Sequence, residues 1–171
     1  MNGDRDGPAA GGTATSEVRS IRPWGITSQE MEFLSELGGF VRTPRTVKRL
    51  ANVYRLLKAC SVPPDQAALD GDDRTDPEFA VALTLAAVVT GFPKEAPEMF
   101  GRLHSTAAGS WVAFLDGVGD ALDGRLVALL RTLTPRIGDV GLDAFRRWAP
   151  RVLQYSFVGA MRGPVGDRPS E

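Results

Sequence analysis

The amino-acid sequence predicts an all-α protein: a compact helical bundle of about six to eight helices with disordered termini. Three observations carry the prediction. Apolar residues recur at three- and four-residue spacing, helix-start residues (Thr, Ser, Asp, Pro) stand just before those stretches, and no apolar–polar alternation lasts long enough to make a strand. With 171 residues, 43% of them hydrophobic and 24% charged, the chain is long enough to bury one genuine core. Residues 1–20 and 160–171 have too few aromatic and branched apolar residues to join that core. They are expected to be disordered, leaving 21–159 as the helical domain.

Each element has its own warrant. At 26–31, Thr27 can cap a helix, Glu30 can complete the capping box, and Ile26 can pack on Met31 as a hydrophobic staple. This predicts a first helix over 28–37, ended by Gly38-Gly39. Thr43-Pro44 supplies a cap and a first-turn proline, and Val47, Leu50, Ala51, Tyr54 and Leu57 continue at helical spacing until Pro63-Pro64. The stretch 66–75, with acids clustered around Gly71, reads as an exposed loop. Asp76-Pro77-Glu78 then opens a helix that is apolar on nearly every face over 79–89. A helix of that kind has to lie at the centre of the bundle, and Gly91 and Pro93 close it. Shorter helices are expected over 96–103, 110–122, 125–133 and 142–157, with Pro150 kinking or splitting the last.

Several classes of function are argued against. The net charge of -1 removes a global case for nucleic acid or anionic membranes. The run 79–89 is far short of the roughly 20 residues that span a bilayer, and the first twenty residues lack a signal-peptide core, so a cytoplasmic protein is expected. Cys60 and His104 are the only residues of their kinds, too few for a disulfide framework or a structural zinc site. Arginine greatly outnumbers lysine, a bias of the sort GC-rich bacterial genomes impose.

No catalytic constellation emerges. Gly117-Val118-Gly119 lacks the spacing of a dinucleotide loop, and there is no G-x-x-x-x-G-K-[ST] phosphate loop. His104-Ser105 has no orienting carboxylate, so a structural histidine is the better reading. Cys60 lies where a helix dipole raises a thiol pKa, which favours an inert, buried or half-buried thiol. Asp116, Asp120 and Asp123 share one face of the expected helix, and a solvated acidic face explains them better than a metal site. No catalytic residue, metal or cofactor is therefore expected for the chain in isolation.

One stretch stands apart. From Arg42 to Lys58 the sequence carries Arg42, Arg45, Lys48, Arg49, Arg55 and Lys58 and no acid. On a helix beginning at Pro44, Arg45, Lys48, Arg49, Asn52 and Arg55 fall opposite Val47, Leu50, Tyr54 and Leu57. Arg45 in the first turn opposes the helix dipole, at a cost of a few tenths to about 1 kcal/mol, which a nearby anion would relieve. The alternative is a solvated face whose arginines pair with the acidic stretch 70–76.

Thr43-Pro44-Arg45, Lys48-Arg49, Asn52 and Tyr54-Arg55-Leu56-Leu57 resemble the T-P-R-x-x-K-R-x-x-N-x-Y-R-L-L signature downstream of the nucleotide-binding core in KAP-family P-loop NTPases. Weaker similarities at Ile26-Thr27-x-x-Glu30, Val89-Thr90-Gly91-Phe92-Pro93 and Tyr155-Ser156-Phe157 extend the resemblance over roughly 21–158. It implies a lid-like helical domain in which Arg45, with Lys48 or Arg49, approaches nucleotide phosphates as sensor residues, with Asn52 and Arg55 in support. Walker A, Walker B and their sheet are not in this sequence. The expected function is thus a non-catalytic lid or regulatory module acting in trans on a P-loop core from another chain, with ATP bound only in that complex. The alternatives are a stand-alone adaptor binding a protein, or less readily nucleic acid, through the cationic face, and a truncated remnant of a larger NTPase.

Overall fold

The computed structural model describes residues 25–70, 78–107 and 109–156. The two expected terminal arms and the second half of the expected acidic loop lie outside these residues. Among the described residues there are eight α-helices, one 3-10 turn and no strand, apart from a lone antiparallel bridge between Ser110 and Gly141. The all-α expectation is met.

α1 (Ser28–Glu36) starts with the expected capping box: the Glu30 amide donates to Thr27 Oγ1 at 3.2 Å and the Thr27 amide to Glu30 Oε2 at 2.6 Å. Met31, expected to staple to Ile26, is 55% exposed. The 3-10 turn Leu37–Gly39 follows. α2 (Pro44–Cys60) is capped by Thr43, whose hydroxyl accepts from the Thr46 amide at 3.2 Å.

The expected loop after α2 is corrected in part, because α3 (Pro63–Asp70) is helical. Proline in a first turn lacks only an amide hydrogen that has no helical partner there, so Pro63-Pro64 can start a helix as well as stop one. Leu69, fully buried, anchors α3, and Asp65 in its first turn pairs with Arg151 at 2.7 Å.

α4 (Phe79–Gly91) is the central helix, buried at every position from Ala80 to Thr90. Thr84 and Thr90 satisfy their hydroxyls on the Ala80 and Ala86 carbonyls at 2.7 Å, which makes them tolerable in an apolar environment. Helices α1, α2, α3, α7 and α8 pack around it. At Gly91 the approach is so close that a Cβ would stand 2.2 Å from the Phe40 carbonyl oxygen.

α5 (Ala96–Ser105), α6 (Trp111–Val118), α7 (Gly124–Ile137) and α8 (Leu142–Tyr155) complete the bundle. α6 ends earlier than expected, so Asp116, Asp120 and Asp123 do not share one helix face. Asp123 instead caps α7, accepting from the Arg125 and Leu126 amides, and Asp116 pairs with Arg131 at 2.8 Å. Pro150 lies within α8 and does not split it. The buried stripe Phe145, Trp148, Ala149 and Val152 holds both halves against the core. α8 is tied down further by Glu78, which accepts from Trp148 Nε1 at 2.6 Å and from Arg147. Arg146 reaches the Leu103, Thr106 and Ala107 carbonyls, covering the C-terminal end of α5.

Candidate anion-binding face of the second helix

α2 presents two faces of opposite character because its sequence places apolar side chains and cations on opposite sides of the same 3.6-residue repeat. Leu50, Val53, Tyr54 and Leu57 are buried against the core. Arg42, before the helix, and Arg45, Lys48, Asn52 and Arg55 are exposed, and Arg49 is half-buried. All five candidates named from the sequence, Arg45, Lys48, Arg49, Asn52 and Arg55, therefore lie together on the outer side of α2. Val47 departs from its expected core position, being 48% exposed in the first turn.

What distinguishes this face is its lack of counter-charge. Among the described residues, Arg102, Arg125, Arg131, Arg136, Arg146, Arg147 and Arg151 all hold a carboxylate or a carbonyl. Arg42, Arg45, Arg49, Arg55 and Lys48 have no such partner among the described residues. Most of the acidic stretch 70–76, with which the α2 arginines were expected to pair, lies outside the described residues. Its one described member, Asp70, lies 3.9 Å from Lys58.

Lys58 is the exception within the cationic stretch. It is buried on the inner side of α2, and its ammonium donates to Glu30 Oε1 at 2.8 Å and Oε2 at 3.1 Å and to the Gly25 carbonyl at 3.3 Å. The Tyr54 hydroxyl donates to the same carboxylate. Burial pushes the Glu30 carboxyl up, but the hydrogen bonds from Lys58, Tyr54 and the Thr27 amide, with the Lys58 charge, outweigh it and leave it below the ordinary carboxylate range. Burial and the adjacent Glu30 push the Tyr54 hydroxyl upward, so it stays protonated and can only donate here. From the sequence, Lys58 stood only among the six cations of 42–58, off the outer face, and Glu30 only as a cap. The signal was present, since Lys58 falls one turn after Tyr54 on the apolar side.

The remaining candidates bring no catalytic geometry together. His104 is exposed, and the Ser105 hydroxyl is spent on the Arg102 carbonyl at 3.2 Å. Cys60 is exposed, a correction to the buried or half-buried thiol expected, because α2 ends there and turns outward into Ser61. No group of metal-ligating side chains occurs among the described residues, and no described helix is long and apolar enough to cross a membrane. A pocket of about 390 Å³ opens between α1 and α3, lined by Thr27, Gln29, Glu30, Lys58, Gln66 and Asp70, but its central ion pair is mutually satisfied.

No protein family, curated protein or solved structure matches the chain. Its function must be read from the residues and their placement.

Proposed function

We propose that the chain is a non-catalytic helical docking module whose α2 face binds an anionic partner surface in trans. The single observation that carries this reading is the set of Arg45, Lys48, Arg49 and Arg55 on the outer face of α2, with Arg42 just before it, none with counter-charge among the described residues, in a protein whose other described arginines are all engaged. Solvated cations in a row repel one another by a few tenths of a kcal/mol per pair, a cost that a bound anion removes. The resemblance of 43–57 to the KAP signature suggests the partner: a P-loop NTPase core from another chain, with Arg45, Lys48 and Arg49 nearest its nucleotide.

The large apolar side chains exposed among the described residues, Met31, Val47, Leu56, Val62 and Val112, are scattered over several elements. A remnant stripped of a former core would be expected to show them as one broad patch. The test is native purification of the tagged chain with and without Mg-ATP, followed by mass spectrometry. The reading expects a P-loop protein whose recovery depends on nucleotide and is lost in the Arg45→Glu/Lys48→Glu/Arg49→Glu variant. Recovery of no such protein, or recovery indifferent to those substitutions, refutes it.

A further inference from the structure

Arg45, Arg49, Asn52 and Leu56 follow one another at spacings of four, three and four residues. That average of about 3.7, close to the 3.6 residues per turn of an α-helix, places them on one ridge along about 16 Å of the outer side of α2. Rows of three- and four-residue steps are the ridges that one helix packs into the grooves of another. Lys48 and Arg55 flank the ridge on one side, where helix pairs usually carry their interhelical charges, and Arg42 stands just before its start. Leu56 is 48% exposed within this row, an apolar residue among cations with no described cover.

We propose that this ridge is the seat of one helix of a partner protein, whose facing stripe puts carboxylates opposite Arg45 and Arg49 and an apolar residue opposite Leu56. The inference rests on the reading of the α2 face as the docking surface and names what that surface recognises. Guanidinium groups match carboxylates in a planar two-bond geometry, and the charge complementarity fixes the orientation of the incoming helix. A polyphosphate satisfies the cations but offers Leu56 nothing. Duplex DNA carries one charge per roughly 1.7 Å, so a 16 Å footprint brings about nine phosphates against five cations. The chain's net charge of -1 then repels the remainder of the duplex. The outer side of a helix is also convex, suited to lying along another helix rather than enclosing a small molecule.

The experiment uses the full chain and a fluorescent helical peptide of roughly 20 residues whose glutamates and leucine follow the complementary four-three-four stripe. Binding is read by anisotropy at low and moderate salt. Controls are a peptide of the same composition with the stripe scrambled, a DNA duplex of similar length, and inorganic tripolyphosphate as competitor. The striped peptide is expected to bind at least about fivefold more tightly than the scrambled one. Arg45→Glu/Arg49→Glu should weaken it tenfold or more, as expected on reversing charge at two close pairs. Leu56→Asp should weaken it several-fold at both salt concentrations, whereas Lys94→Glu, in the exposed turn before α5, should leave it unchanged.

Circular dichroism confirms that each variant is folded. Equal binding of the scrambled peptide, tighter binding of DNA, displacement by tripolyphosphate at equal charge, or indifference to Leu56→Asp each overturns the proposal. The peptide result also separates it from the NTPase reading. Striped-peptide binding without recovery of a P-loop protein refutes the NTPase partner alone. Arginine-dependent recovery of a P-loop protein without peptide binding refutes the acidic helix alone.

Discussion

Replacing Glu30 with glutamine removes the charge from a carboxylate held by three donors, and it leaves the Lys58 ammonium buried with only the Gly25 carbonyl and the more distant Asp70 for company. Breaking a buried pair at one end typically costs about 3–5 kcal/mol. Glutamine keeps one oxygen to accept from Tyr54 or Lys58, and Asp70 at 3.9 Å supplies part of the lost charge, so a loss of about 2–3 kcal/mol is expected. In urea, with a slope of ~2 kcal/mol/M, mid-range for small domains, the midpoint should fall by about 1–1.5 M. The double variant Glu30→Gln/Lys58→Met should recover much of the loss, since an apolar side chain no longer needs a counter-charge. The pH dependence has a definite sign. The folded carboxyl lies below its ordinary value of 4.5, so its contribution is fully present above that value. It is lost as the pH falls through the lower folded value. The gap between wild type and variant should therefore be constant near neutrality and close on acidification. A loss below about 0.5 kcal/mol at neutral pH, or a gap that widens in acid, refutes the clasp as a stabilising element.

Gly91→Ala should destabilise by at least ~2 kcal/mol in thermal unfolding, despite the better helix propensity of alanine, because the new Cβ meets the Phe40 backbone. Gly39→Ala should cost less, since its Cβ would meet only the end of the Leu129 side chain. Neutralising the outer face of α2 by Arg45→Ala, Lys48→Ala and Arg49→Ala should change stability by no more than about 0.5 kcal/mol per site, measured by urea unfolding. Arg146→Ala, by contrast, should cost about 1–3 kcal/mol by exposing the carbonyls at the end of α5. Cys60 should react stoichiometrically with a thiol reagent in the folded protein, without denaturant.

Local signals were read most reliably where one short stretch contains the whole physical cause. The Thr27 and Thr43 caps, the proline at the start of α2 and the all-apolar α4 each depend on neighbours within a turn or two, and each formed as the sequence implied. The outer cations of α2 were equally legible, because Pro44 sets the phase of the helix and the apolar stripe then determines which side faces out. Pro63-Pro64 was ambiguous in itself, since the same pair ends one helix and begins the next. Buried Leu69 and the Asp65–Arg151 pair, both contacts across the bundle, are what make α3 a helix.

By itself the sequence determined the all-α class, the central helix and the segregation of charge along α2, all of which follow from periodicity, capping chemistry and composition. Only the tertiary structure decided that Lys58 turns inward to Glu30 and that Asp116, Asp120 and Asp123 part company. It likewise decided that the α2 arginines find no acid among the described residues while Arg102, Arg131, Arg136, Arg146, Arg147 and Arg151 each do. Those outcomes depend on which distant side chains the bundle brings within about 4 Å, the range over which ion pairs and hydrogen bonds act, and no local pattern encodes that distance.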